Sequence, residues 1–309
     1  KTKKYAEYLG LGCDFTFGSA WPFGGSFLKE QDRSQTFSGL SSKLITASWE
    51  FPEETYVLNH LSKSAFQNYF KRMIKLFEPA VQGRTSALFC DSLELDNNNI
   101  WTEELWLEFE EKYNYSLKDH LNELDNNSNI RYDTRKLISQ TFITNFCQPF
   151  VELARQHQSR VRMQCHGAPA DLISAYMTVD IPESESLLFP PTFSRIAASA
   201  GTLGKKSVVS CETFTCIYGF DQPEETVNQA DIKDLKLLFD AVVSNGVNQI
   251  IWHGMPFNPV KSQLNTFYAS TYVGPHASFR DELSKFNKYM ENVCSIMRVG
   301  RNSHRLALY

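Results

Sequence analysis

Ionisable side chains recur in this sequence directly after short apolar runs. Asp91 and Glu94 follow Thr85–Cys90, and His166 and Asp171 follow the alternating stretch Arg160–Cys165. Glu183 and Glu185 follow Met177–Ile181, Glu212 follows Val208–Cys211, and His253 follows Val247–Trp252. Glu94 sits between Leu93 and Leu95, where a buried carboxylate is costly unless used or paired. Carboxylates gathered with two histidines and a tryptophan, Trp21 in the loop Gly18–Gly25, suit glycoside hydrolysis. One carboxylic acid must protonate the leaving oxygen while a carboxylate activates water or attacks carbon. Crowding of like charges raises one carboxyl pKa and supplies the acid. Each residue also has a structural alternative. Asp91 would cap a turn, Asp171 would start a helix, Glu183 and Glu185 would be solvated, and His166, His253 and Trp21 would be core.

Such groups converge only if the strands that carry them run in parallel. Arg160–Glu185 reads as a βαβ unit: a period-2 strand, the turn Ala168-Pro169-Ala170-Asp171, a short helix from Leu172, and a strand over 177–181 ending at Pro182. Elsewhere the pattern repeats. Helices are expected over 62–78, 103–113, 117–124, 132–157, 192–202, 226–244 and 279–297. Seven core strands are expected, near residues 13, 86, 161, 178, 208, 249 and 306, with a further strand or hairpin over 44–51. A strand ahead of residues 1–9, which read as the end of an amphipathic helix, would make eight. Eight is the strand number of a (β/α)8 TIM-type barrel, whose active sites lie at the carboxyl ends of the strands. The fold expected is therefore a single barrel domain over 1–309, its N-terminal strand missing, with loop insertions near 26–60 and 96–130, excised from a longer multidomain protein. A doubly wound sheet competes, but no GxGxxG follows any strand.

Composition narrows the partners. The 309 residues carry a net charge of -4 and no long basic cluster, which argues against nucleic acid. No apolar run reaches the ~20 residues of a membrane span. Aromatic residues make up 13% of the chain, a content that serves both a large core and a sugar-binding cleft. Seven cysteines without a CxxC pair read as small buried hydrophobes. There is no signal peptide in the sequence.

Several motifs resemble glycoside hydrolase family 106, the α-L-rhamnosidases, in the family's order: GSAWPFGG at 18–25, CDSLEL at 90–95, WTEEL at 101–105, HGAPADL at 166–172, DIPESE at 180–185, SCETFT at 210–215 and HGMPFNP at 253–259. Together they cover about residues 5 to 309. The resemblance implies a (β/α)8 catalytic domain in a longer, exported bacterial enzyme, periplasmic or extracellular, that hydrolyses terminal rhamnosides with inversion, assisted by calcium. It implies Glu94 as general acid and Glu212 or Glu185 as the base, which an inverting enzyme holds ~6.5–9.5 Å apart. Trp21, Asp91, His166, Asp171 and His253 would contact the sugar, and Glu183 would serve the metal. A departure such as Ala20 in place of glycine bears on substrate choice. The partners implied are a rhamnose-containing glycan and the other domains of the same chain. A non-catalytic glycan-binding or scaffold barrel, or a hydrolase for another sugar, is the alternative.

Overall fold

The computed structural model describes residues 1–40, 55–81, 86–95, 100–186, 190–219, 229–255, 271 and 273–300. They fall into two compact units, Lys1–Asp180 and Ile181–Tyr309.

In the first unit, β1 (Phe15–Thr16), β2 (Ala87–Cys90) and β3 (Arg160–Met163) pair in parallel in sequence order, Phe15 opposite Leu88 and Leu88 opposite Val161. Between them run α1 (Lys63–Val81), α2 (Ser128–Phe142) and α3 (Gln148–Gln156). The Ser62 hydroxyl caps α1 by accepting the Ala65 N–H (3.4 Å), as its sequence position predicts. The single helix expected over 132–157 is α2 and α3 joined by a π-helical turn, Ile143–Cys147. That turn places Phe146 and Cys147 in the core, where Phe146 meets Phe23, Phe66 and the His60 ring. α4 (Leu172–Thr178) closes the unit. The expected insertions contain short antiparallel pairings: Gly24–Gly25 with Tyr56–Val57, and Gln35–Thr36 with both Gly39–Leu40 and Ile100–Trp101.

In the second unit, β4 (Ile181–Glu185), β5 (Ser210–Thr213) and β6 (Gln249–Trp252) are again parallel and in sequence order, with α5 (Arg195–Leu203), α6 (Ile232–Ser244) and α7 (Leu283–Met297). Phe239, Phe286 and Met290 from α6 and α7 pack with Phe214 and Trp252.

Two expected strands begin later than their apolar runs suggest. In the segment read as a strand over 177–181, Met177 and Thr178 end α4, and β4 starts only at Ile181. Asp171 caps α4 and its turns carry through Met177, while the sheet takes up the polar Glu183-Ser184-Glu185, all buried. β5 likewise starts at Ser210, so Glu183, Glu185 and Glu212 lie within strands rather than beyond them. The strand expected near 306 and the hairpin over 44–51 lie outside the described residues.

Polar residues just ahead of strands pin neighbouring backbone. Asp14 accepts the Ala87 N–H (2.7 Å), Asp180 that of Val161 (3.0 Å), and Asn248 that of Val209 (2.8 Å). Such bonds satisfy donors at strand starts that the ladder leaves open. Parallel strands in sequence order, separated by helices, make a mixed α/β fold with the strand arrangement of a barrel. Among the described residues there are six such strands. No helix among those residues is long and apolar enough to cross a membrane.

His60 is fully buried among Phe23, Phe142 and Phe146. Loss of water lowers its pKa to about 3, the Leu58 backbone offsetting only part. Below the unfolded value of 6.5 the unfolded chain takes up a proton that the folded chain refuses, so this contribution is lost as pH falls from 6.5 toward 3. At pH 5 the penalty is about 2 kcal/mol. Denaturant titrations at pH 7 and pH 5 should show a His60→Leu variant losing about that much less stability between the two pH values than the unsubstituted protein. Equal losses would contradict it.

Candidate active site

In the first unit the side chains of interest lie where β2 and β3 end. After Cys90 the chain turns at Asp91, whose carboxylate accepts the Ser92 N–H (2.8 Å). Leu93 is buried and Glu94 is exposed, so Glu94 is not the buried carboxylate that its leucine neighbours suggested; its backbone is left-handed, φ 38°. A non-glycine residue in that region is held by its surroundings at a cost. Two of the bonds that hold it come from the turn after β3: Leu93 N–H donates to the His166 carbonyl (3.2 Å) and Leu95 N–H to that of Gly167 (3.1 Å). Gly167 has φ +74°, and a Cβ there would stand 2.2 Å from the Glu94 nitrogen. Only glycine permits that approach.

The Glu94 carboxylate is oriented by a chain of hydrogen bonds. Trp21 Nε1 donates to Ser92 Oγ (3.0 Å), and Ser92 Oγ donates to Glu94 Oε1 (3.0 Å). Trp21 is half-buried in a loop that is itself fixed: Tyr69 Oη donates to the Gly24 carbonyl (3.0 Å) and accepts the Ser19 N–H (3.0 Å). Burial pushes the Tyr69 hydroxyl up to about 12, keeping it a neutral donor. His166 is buried. Asp171 is exposed and caps α4, its Oδ1 accepting the Ile173 N–H (3.1 Å) and its Oδ2 the Ser174 hydroxyl (2.6 Å). That is the helix-start role that its position after Pro169-Ala170 also allowed.

In the second unit Glu185 stands directly across from Glu212 on the neighbouring strand, both largely buried. Glu183 is fully buried opposite Ser210, whose hydroxyl donates to Glu183 Oε2 (2.6 Å). Burying two carboxyl groups in register on adjacent strands is costly unless they are paired or used. His253 Nδ1 lies 3.6 Å from Glu212 Oε1. Burial lowers the His253 pKa despite the Glu185 charge, so at neutral pH this contact joins a neutral imidazole to a carboxylate rather than making an ion pair. The Thr215 hydroxyl donates to the His253 carbonyl (2.6 Å) and also contacts Nδ1. With its proton committed there, Thr215 accepts from Nδ1–H, an assignment that leaves Nε2 as an acceptor. Phe214, at φ 89° and buried against Trp252, locks the turn between Glu212 and Thr215.

Within the first unit, therefore, Trp21 and Glu94 come together through Ser92, and Asp91 and His166 flank the same turn. Within the second, Glu185, Glu212 and His253 come together. Ser92, Gly167 and Thr215 carry no ionisable group and are not singled out from sequence; the Ser-x-Glu spacing and the His-Gly pair are the signals that point to them. All seven cysteines are free, and burial raises the thiols of Cys90, Cys147, Cys165 and Cys211, so these are poor nucleophiles.

A calcium ion takes six to eight oxygen ligands. Among the described residues no group of three or more His, Cys, Asp or Glu side chains is gathered to hold a metal. Those side chains do not form a calcium donor set by themselves, and no step below runs through the ion.

A sequence model of the alpha-L-rhamnosidase family matches residues 52–309. Among solved structures, the chain is similar to a rhamnosidase from Novosphingobium sp. PP1Y, at 19% identity and a TM-score of 0.65, over 81% of this chain and 26% of that one. It is also similar to a beta-galactosidase from the psychrophilic Marinomonas ef1, at 12% identity and a TM-score of 0.55, over 88% of this chain and 48% of that one. At these identities both likenesses concern the fold. The chain thus spans about a quarter of the first protein and about half of the second. No curated protein matches it.

Gly167→Ala tests the close approach of the two turns. A left-handed residue with a Cβ costs about 1–2 kcal/mol, and here the Cβ also meets Glu94 backbone. Denaturant unfolding should show a loss of about 2 kcal/mol or more; a change within about 0.5 kcal/mol, the range of an ordinary surface substitution, would contradict the geometry.

Proposed function

Because the chain belongs to the alpha-L-rhamnosidase family, glycoside hydrolase family 106, we propose that it carries the catalytic chemistry of an exported enzyme removing terminal α-L-rhamnose from glycans or glycosides. The reading takes the chain as one (β/α)8 barrel within a longer protein. Glu94 is the general acid: Ser92 holds Oε1, leaving Oε2 unengaged among the described residues, at an exposed position open to a glycosidic oxygen. Glu212, with Glu185 beside it, is the base that takes a proton from water as the water attacks the anomeric carbon. The proton given by Glu94 leaves with the aglycone, and the configuration inverts.

The observation that carries this reading is the pairing of Glu185 with Glu212 at the carboxyl ends of parallel strands, buried and next to a neutral histidine. A fold has little reason to bear that electrostatic cost without a use for it. His253, through Nε2, and His166 are the residues assigned to sugar hydroxyls, and Trp21 and Asp91 are assigned further sugar contacts. Calcium enters only as a family expectation: rhamnose release that survives exhaustive chelation would remove it from the reading.

The second reading, hydrolysis of another sugar, draws on the fold shared with a beta-galactosidase. A panel of aryl glycosides separates the two, with release expected from the α-L-rhamnoside. On that substrate Glu94→Gln and Glu212→Gln should each lower kcat by about 10²–10⁴-fold. Ser92→Ala should cost less, about tenfold, because it removes one orienting bond to a carboxylate that remains. Full activity in both glutamine variants would sink the assignment and favour a barrel that binds glycans without cleaving them.

A further inference from the structure

Three cations of α2 line a groove of about 850 Å³ whose other wall is the segment Ala168–Asp171 with Ser174. Arg131, Arg135 and Lys136 face one carboxylate there, Asp171, and both oxygens of that carboxylate are occupied by the cap of α4. The groove therefore carries an unbalanced positive charge. Arg131 Nη1 donates to the Leu124 and Asp125 carbonyls (3.2 and 2.8 Å), which fixes its guanidinium at the rim. Arg135 is exposed and makes no ion pair, hydrogen bond or ring contact among the described residues. Lys136 Nζ lies 5.3 Å over the ring of Tyr132, which is 62% exposed.

The walls are joined rather than merely adjacent. The Asp171 N–H donates to Ser139 Oγ (2.8 Å), tying the segment to α2. The same segment begins at His166–Gly167, whose carbonyls hold the turn that carries Glu94. A volume in this range suits a ligand of a few rings. An exposed aromatic ring offers a platform for the apolar face of a sugar, and Arg135, which has no partner among the described residues, selects for negative charge with Lys136 beside it.

We propose that this groove binds an acidic oligosaccharide, with a sugar ring on Tyr132 and a carboxylate or sulfate group at Arg135 and Lys136. On the glycan reading above, on which this rests, the groove takes an acidic stretch of the same polymer whose rhamnose is removed. The class of substrate is then a charged, branched glycan rather than a neutral small glycoside.

Isothermal titration of the protein with three probes of equal length tests this: an oligogalacturonate, a sulfated oligosaccharide and a neutral oligogalactoside. At least one acidic probe should bind, more weakly as salt is raised, and the neutral probe should not. Which acidic probe binds tells carboxylate from sulfate. The double substitution Arg135→Gln/Lys136→Gln should weaken binding on the order of fivefold or more, with an unchanged melting temperature because both side chains are exposed. Absence of binding by either acidic probe at millimolar concentration, equal binding of the neutral probe, or undiminished binding by the double variant would overturn the proposal. Binding is read without turnover, so a protein that releases no rhamnose still tests the groove. A rhamnosidase with no affinity for acidic sugars would overturn the groove alone.

Discussion

The geometry of the first unit depends on the absence of one side chain. At Gly167 the turn after β3 comes so close to the turn after β2 that a Cβ would stand 2.2 Å from the Glu94 nitrogen. Two carbonyls of that turn then receive Leu93 and Leu95 N–H groups, which leaves Glu94 between them in a left-handed conformation facing solvent. Ser92, buried beneath it, passes the Trp21 N–H on to the carboxylate. Position and orientation of the Glu94 carboxylate are thus set by backbone packing and one relay. Such preorganisation removes motions that a catalytic group would otherwise have to freeze.

The second unit reaches its chemistry by the opposite route, through burial. Glu183, Glu185 and Glu212 are taken into β4 and β5, and the Glu185–Glu212 pair sets like charges across one ladder. Ser210 compensates Glu183 with a hydrogen bond, and His253 approaches Glu212 as a neutral ring. The cost falls on stability, and the aromatic cluster around Phe214, Trp252 and Phe286 supplies apolar burial next to it.

Much of this was legible in the sequence, and the gaps have physical reasons. Helical spacing placed α1 and α7 well because their apolar stripes are long. The alternation of strand and helix gave the parallel order, and the motifs gave the family. The end of α4 was misread as a strand because Met177–Ile181 is apolar, whereas the strand that follows is polar; parallel strands are usually found by their apolar runs. The same bias put Glu212 after its strand instead of in it. Leucine neighbours suggest a buried Glu94, but it stands exposed in a left-handed conformation that no local pattern announces. Asp171 caps a helix, as one of its two sequence readings had it. Gly167 and Thr215 act through contacts between distant segments, and Ser92 joins the distant Trp21 to Glu94, links that a single sequence does not display.

Hydrolysis with inversion, as proposed, has a direct stereochemical readout. Proton NMR of an aryl α-L-rhamnoside during its first minutes with the full-length protein addresses it most directly. The account predicts that β-L-rhamnose appears first and that the α anomer follows only by mutarotation. First release of α-L-rhamnose would contradict it, because that outcome requires a covalent intermediate and a retaining pair of carboxylates.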